Sequence, residues 1–80
     1  MKKVEIYSTE NCQFCKMAKD YFNEKGVAYT EYNVGLDTEK RKEMIDASGQ
    51  MGVPVIIIDG QDVVVGFNKK ALSELLSIPA

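Results

Sequence analysis

Apolar and polar positions along the chain change period several times, and each change marks an element. Val4, Ile6 and Tyr7 roughly alternate with polar residues within Lys3 to Ser8, which predicts a strand. After the polar Thr9-Glu10-Asn11 the spacing lengthens. Phe14, Met17, Ala18, Tyr21 and Phe22 recur at i, i+3, i+4, i+7 and i+8, the stripe of a helix over Phe14 to Lys25 with one buried face. Lys25-Gly26 ends it, because glycine accepts the left-handed conformation just past a helix end. Val27 to Asn33 alternates again, with Val27, Tyr29 and Tyr32 as strand residues. Asp37-Thr38 supplies a cap for a second helix over Glu39 to Ser48, closed by Gly49. Its apolar positions, Met44 and Ile45, are few, so it is expected to be largely exposed. Val53-Pro54-Val55-Ile56-Ile57-Ile58 is the most apolar segment. Asp59-Gly60 is a tight-hairpin signal, and Asp62 to Val65 returns as an antiparallel strand. Gly66-Phe67-Asn68 leads into a last helix, with Asn68 as its cap and Ala71, Leu72, Leu75 and Leu76 facing inward.

The order is β-α-β-α-β-β-α. Its first three elements form a βαβ unit, so the first two strands are expected to be parallel with a right-handed crossover. The simplest closure is an α/β fold, a mixed four-stranded sheet covered by three helices. Eighty residues form one domain, 1–80, and no repeat, linker or low-complexity segment interrupts them. The extended Val53-Pro54 segment is expected at the carboxyl end of the first strand. With 45% hydrophobic residues the composition argues against disorder. A net charge of −2 gives no reason to expect nucleic acid or an anionic membrane as partner. No run approaches the about 18 apolar residues of a membrane span, and the opening residues are too short an apolar stretch for a signal peptide.

The two cysteines, Cys12 and Cys15, are the only ones in the chain, and they fall where the first strand gives way to the first helix. A secreted small domain would carry several spaced cysteines, so a reducing cytoplasm is the expected compartment. In that setting a C-x-x-C pair beside a βαβ pattern reads as a redox motif. Cys12, at the helix start, is the expected nucleophile. Backbone N–H groups of Phe14 and Cys15 and the helix dipole favour its thiolate. Such placement takes a free thiol from a pKa of about 8.5 to roughly 3.5–7.5 in known cases, and each unit is about 1.4 kcal/mol of preference for the anion. Lys16 and Lys19 add positive potential and Glu10 opposes it. Cys15, one turn further in, is the expected resolving thiol. A purely structural disulfide is the bland alternative, but closing so small a loop contributes only roughly 2 kcal/mol. Resident zinc or an iron–sulfur cluster wants about four ligands, and one chain offers two cysteines and no histidine.

Val4-Glu5-Ile6-Tyr7, the C-x-x-C, Ala18-Lys19, Lys25-Gly26-Val27, Arg41-Lys42-Glu43-Met44-Ile45, Ser48-Gly49, Val53-Pro54 and Ile58-Asp59 together resemble the glutaredoxins of the thioredoxin-fold superfamily. The resemblance covers nearly the whole chain. It implies a thioredoxin-like fold and a thiol–disulfide oxidoreductase that acts on protein disulfides or glutathione mixed disulfides. No tightly bound cofactor is implied; glutathione is the co-substrate. It further implies a cis Val53-Pro54 bend opposite the cysteines, whose Val53 N–H and C=O pair with a substrate backbone. Phe14, Val53, Pro54, Phe67, Asn68 and Lys69 then form the substrate and glutathione surface. The N-terminus of the last helix would take the γ-glutamyl carboxylate with Lys69 assisting. Glu39-Lys40-Arg41-Lys42-Glu43 reads most simply as a solvated helix face, with Arg41 or Lys40 reaching the glycine carboxylate as the alternative.

Three departures bear on the electron donor. Gln13-Phe14 replaces the family's Pro-Tyr, Gly52 replaces the Thr before Val-Pro, and Gly66-Phe67-Asn68-Lys69 replaces a Gly-Gly-Cys/Ser-Asp stretch. Gly52 is expected to widen the groove. Gly66-Phe67 also looks like the redoxins that serve ribonucleotide reductase and draw electrons from thioredoxin reductase, a flavin-dependent partner. A further alternative within the resemblance is a cluster carrier, with an iron–sulfur cluster bridging two chains and completed by glutathione. Without a surplus apolar stripe on its helices, the chain is expected to be a monomer.

Overall fold

The computed structural model describes residues 2–78. Its elements follow the expected order: β1 (Val4–Ser8), α1 (Gln13–Glu24), β2 (Thr30–Asn33), α2 (Thr38–Ser48), β3 (Val55–Ile58), β4 (Asp62–Val65) and α3 (Lys69–Leu76). They form one four-stranded sheet in the order β2-β1-β3-β4. β1 and β2 are parallel, with Glu5 opposite Thr30 and Ser8 opposite Asn33. β3 runs antiparallel to both β1 and β4. This is the α/β architecture expected, a mixed sheet with three helices.

Alternation along the strands divides the interior into two layers. On one face Val4, Ile6, Ile56, Ile58 and Val64 meet Ala18, Tyr21 and Phe22 of α1 and Leu72 of α3. On the other, Tyr7, Val55 and Ile57 meet Val34 and Met44 of α2. The second layer is thinner. Met44 is the only fully buried residue of α2, and Val63 and Val65 on the same sheet face stay 39% and 52% exposed. The central strands are buried on both faces, which explains the unbroken apolar run Val55 to Ile58.

Local signals set the boundaries. Asp37 caps α2 by accepting the Lys40 N–H at 3.1 Å. Asp59 and Gly60, both at positive φ (54° and 69°), turn the β3–β4 hairpin, closed by Gln61 N–H to Ile58 C=O at 3.1 Å.

Three expectations need correction. β2 begins at Thr30 rather than Val27, because the Val27 N–H donates to the Phe22 carbonyl at 2.8 Å and the ladder with β1 opens only at Glu5–Thr30. Val27 and Tyr29 still lean on the α1-side core. β3 begins at Val55 rather than Val53, since its register against β1 starts at Tyr7–Val55. The buried stripe of α1 is Cys15, Ala18, Tyr21 and Phe22, whereas Phe14 and Met17 are 61% and 42% exposed. Cys15 buries like a small hydrophobe and turns the helix away from the face that Phe14 predicted.

With Met44 the one fully buried side chain that α2 contributes, Met44→Ala is expected to lower unfolding stability by about 2–5 kcal/mol. Urea denaturation checks this. A loss below about 0.5 kcal/mol would show that α2 docks by other contacts.

Candidate active site

β1 delivers its carboxyl end to a fixed point. Ser8 is 1% exposed there; its Oγ donates to Glu31 Oε2 at 2.8 Å and its carbonyl accepts the Val34 N–H at 2.9 Å. The chain then turns through Thr9-Glu10-Asn11, with the Cys12 N–H reaching the Thr9 carbonyl at 3.4 Å. Cys12 is the N-cap of α1 in extended conformation, φ −94° and ψ 107°. Its Sγ accepts the Cys15 N–H at 3.1 Å, occupying the place that a serine or aspartate oxygen takes in an ordinary cap. Its carbonyl accepts the Lys16 N–H at 3.2 Å.

Cys12 and Cys15 are joined as a disulfide, with Cα atoms 5.2 Å apart. Cys12 is half-buried and Cys15 wholly buried. On reduction, the Cys12 sulfur is the one facing solvent, with the first-turn amide of Cys15 and the dipole of a twelve-residue helix behind it. Of the two amides expected at the sulfur, the Cys15 N–H makes the hydrogen bond.

The nearby charges arrange themselves differently from the simplest expectation. Lys19 is not free to act on the thiol, because its Nζ lies 2.7 Å from Glu31 Oε2. Glu31 therefore joins α1, β1 and β2 through one oxygen, which accepts from both Lys19 and Ser8. The Lys19 hydrogen bond, followed by that of Ser8, holds the Glu31 carboxyl below its ordinary range. Lys16 and Glu10 are exposed. Phe14 and Met17 leave apolar surface on the solvent side of the same helix.

Two further segments converge on the carboxyl end of β1. The Val53-Pro54 bond is cis, Pro54 is buried and Val53 half-buried. The register that sets Val55 opposite Tyr7 carries these residues toward Ser8 and the cysteine loop. The Pro54 carbonyl accepts the Gly66 N–H at 2.8 Å, which ties the entry to α3 to the proline segment. Phe67 packs partly buried against the main core, its ring edge-on to Tyr21 at 5.9 Å. Asn68 caps α3 through Oδ1 to the Ala71 N–H at 3.1 Å. Lys69 Nζ sits 5.7 Å above the Tyr21 ring. Lys40 lies on α2, 3.2 Å from Glu43 and 4.3 Å above the Tyr32 ring, and Arg41 is exposed.

Gly52 does not open the groove as expected. The Gln50 side chain fills the space: Nε2 donates to the Gly52 carbonyl at 3.0 Å and Oε1 accepts its N–H at 2.5 Å. Sequence reasoning passed over Gln50, which lies in no periodic segment. It also passed over Ser8 and Glu31, although Ser8 continues the inward alternation of Val4 and Ile6 and so was a legible buried polar position.

A βαβ-led mixed sheet with a C-x-x-C disulfide at the first helix N-terminus and a cis proline beside that end defines a thioredoxin-fold dithiol redox protein. The family model that matches residues 4–63 is that of glutaredoxin, and the chain belongs to this family. It is 44% identical over 73 residues to a glutaredoxin-like 8.6 kDa protein in the rubredoxin operon of Clostridium pasteurianum, covering 91% of this chain and 96% of that one. It is 43% identical over 63 residues to glutaredoxin 3 of Escherichia coli K12, covering 79% and 76%. Among solved structures, a thioredoxin-like protein crystallised as a point mutant aligns with TM-score 0.89 and 34% identity over 99% and 100% of the two chains. A glutaredoxin-like NrdH-redoxin from Escherichia coli, described as having a thioredoxin-like activity profile, aligns with TM-score 0.79 and 27% identity over 98% and 97%.

The Glu31 bonds carry a pH signature. The folded pKa lies below the ordinary value of 4.5, so on acidification the unfolded chain takes up the proton first. The stabilisation is complete above that value and lost as pH falls through the lower folded pKa. Glu31→Gln is therefore expected to flatten the decline of stability on acidification. Denaturant midpoints of the two proteins at about pH 7 and about pH 3 check this. Parallel declines would rule out the Lys19–Glu31–Ser8 link as a source.

Proposed function

We propose that this glutaredoxin-family protein reduces protein disulfides and glutathione mixed disulfides, with glutathione as co-substrate, no tightly bound cofactor, and a reducing cytoplasm as its place of work. It acts as a monomer, needing neither nucleic acid nor membrane. The observation that carries the reading is the unequal burial of two sulfurs at one helix N-terminus. The Cys12 thiolate attacks a sulfur of the substrate disulfide, so that a Cys12–substrate S–S bond forms as the substrate bond breaks. The leaving thiolate takes a proton from water. Cys15, deprotonated, then attacks the Cys12 sulfur, closing the intramolecular disulfide and releasing the second substrate thiol. Two electrons pass from the dithiol to the substrate. Two glutathione molecules restore the dithiol, becoming glutathione disulfide. Phe14, Val53 and Pro54 border the sulfur on its open side in this reading. Asn68 and Lys69, at the start of α3, receive a glutathione carboxylate, Lys69 by leaving the Tyr21 ring.

A second reading has its own observation. The NrdH-redoxin likeness spans nearly both chains, and the Asn68 and Lys69 side chains are already engaged within this protein. A redoxin for ribonucleotide reductase, reduced by the flavoenzyme thioredoxin reductase, would need neither for glutathione. The cluster carrier bridging two chains has no comparable observation in its favour.

NADPH consumption with a small disulfide separates the two donors. One reaction contains glutathione and glutathione reductase, the other thioredoxin reductase alone. Turnover with glutathione is expected, and turnover only with thioredoxin reductase would overturn the glutathione assignment. In the same assay Cys12→Ser is expected to abolish activity. Cys15→Ser is expected to spare glutathione mixed disulfides and to slow protein disulfides at least about tenfold, because nothing internal then resolves the mixed disulfide. Residual turnover in Cys12→Ser would reverse the two roles.

A further inference from the structure

Gln50 lies in the loop between α2 and β3, two residues ahead of Gly52, and its amide is fully engaged there. Oε1 accepts the Gly52 N–H at 2.5 Å, while Nε2 donates to the Gly52 carbonyl at 3.0 Å. This two-bond exchange between one amide and the N–H and C=O of one residue is the pattern by which a neighbouring strand pairs with a backbone. At Gly52 the Gln50 side chain takes the part that a neighbouring strand would play. Gln50 is itself anchored to the end of α2. Ser48 Oγ lies 2.7 Å from the Met44 carbonyl and 3.0 Å from the Gln50 carbonyl, either of which can accept its one O–H, and Gln50 Nε2 reaches Ser48 Oγ at 3.4 Å.

The next residue is Val53. The Gly52 carbonyl and the Val53 N–H belong to one planar trans peptide and point in opposite directions. Holding the Gly52 carbonyl with Gln50 Nε2 therefore turns the Val53 N–H away from the Gln50 side chain. Among the described residues, no protein group hydrogen-bonds the Val53 N–H or C=O.

We propose that Gln50 is a positioning residue for peptide substrates: its amide clamps Gly52 so that the Val53 backbone stays presented, beside Cys12, to the backbone of a disulfide-bearing peptide. The inference rests on the oxidoreductase reading above and adds a selectivity to it. The clamp favours disulfides flanked by peptide over disulfides without one.

Kinetics of the intact chain test it with two substrates under one reductant supply, a cysteine-peptide disulfide and bis(2-hydroxyethyl) disulfide. Losing the clamp removes a hydrogen bond's worth of order. Gln50→Ala is thus expected to raise KM for the peptide about three- to tenfold, with kcat unchanged, and to leave the hydroxyethyl substrate unaffected. Gly52→Ala reaches the same state by another route, since its Cβ would lie 2.6 Å from Gln50 Oε1 and the flexible amide must swing out. The double variant should then show no rise beyond either single one. An unchanged peptide KM, equal losses on both substrates, or additive effects in the double variant would each overturn the clamp while leaving the oxidoreductase reading intact. Wild-type inactivity toward both disulfides would overturn that reading, and the clamp's role with it.

Discussion

β1 is hydrogen-bonded along both edges, parallel to β2 and antiparallel to β3, and Val4, Ile6 and Tyr7 are buried on its two faces. A five-residue strand held on four sides cannot slip, because a shift of one residue would exchange its core faces. Everything chemical in the molecule is referred to its carboxyl end. The cysteine loop grows out of Ser8, the proline segment is brought there by the β3 register, and the entry to α3 is tied to that segment by the Gly66–Pro54 bond. Three irregular connections thus meet at one point, since each is anchored within a residue or two of a buried ladder.

The same end shows which electrostatic effect wins at Cys12. Lys19 is a cation of the same helix, yet it is engaged with Glu31. Lys16 is exposed, and exposed charges are worth up to about 1 kcal/mol before salt screens them. The Cys15 amide, at 3.1 Å and fixed by the helix itself, has no such freedom. In the proposed mechanism, stabilisation of a Cys12 thiolate therefore belongs to the cap. Lys19 and Glu31 serve instead to lock α1 against β1 and β2, which keeps the cap in place.

Much of this was legible in the sequence because the signals are local. The periods of the two outer helices, Gly26 and Gly49 past helix ends, and the Asp59-Gly60 turn each act over a few residues. Together they fixed the element order and the parallel first crossover. Less legible were choices between two locally equal options. Counting Phe14 and Met17 as core gave α1 a stripe as regular as the one formed by Cys15, Ala18, Tyr21 and Phe22. The packing selects the latter, with Cys15 0% and Phe14 61% exposed. Val27 and Tyr29 kept the alternation of a strand while burying against the α1 side without a ladder partner. The Gln50 clamp and the Ser8–Glu31 bond lay beyond periodicity altogether, one being a side chain folding onto a neighbouring backbone and the other spanning 23 positions.

Phe14 and Cys15 are neighbours in sequence, and their opposite fates explain how one helix turn separates two chemical roles. Rotating α1 to bury Phe14 would bring Cys15 toward solvent, where an outside thiol could attack either sulfur. Cys15 is wholly buried and Cys12 half-buried, so in the proposed mechanism an outside thiol meets Cys12 and Cys15 acts from within. The apolar surface that Phe14 and Met17 leave exposed is the consequence of that orientation. It lies on the helix that carries the reactive sulfur, where desolvation by a docked substrate would strengthen the amide–sulfur interaction. The burial that stabilises α1 and the unequal exposure of the two sulfurs are therefore a single packing choice.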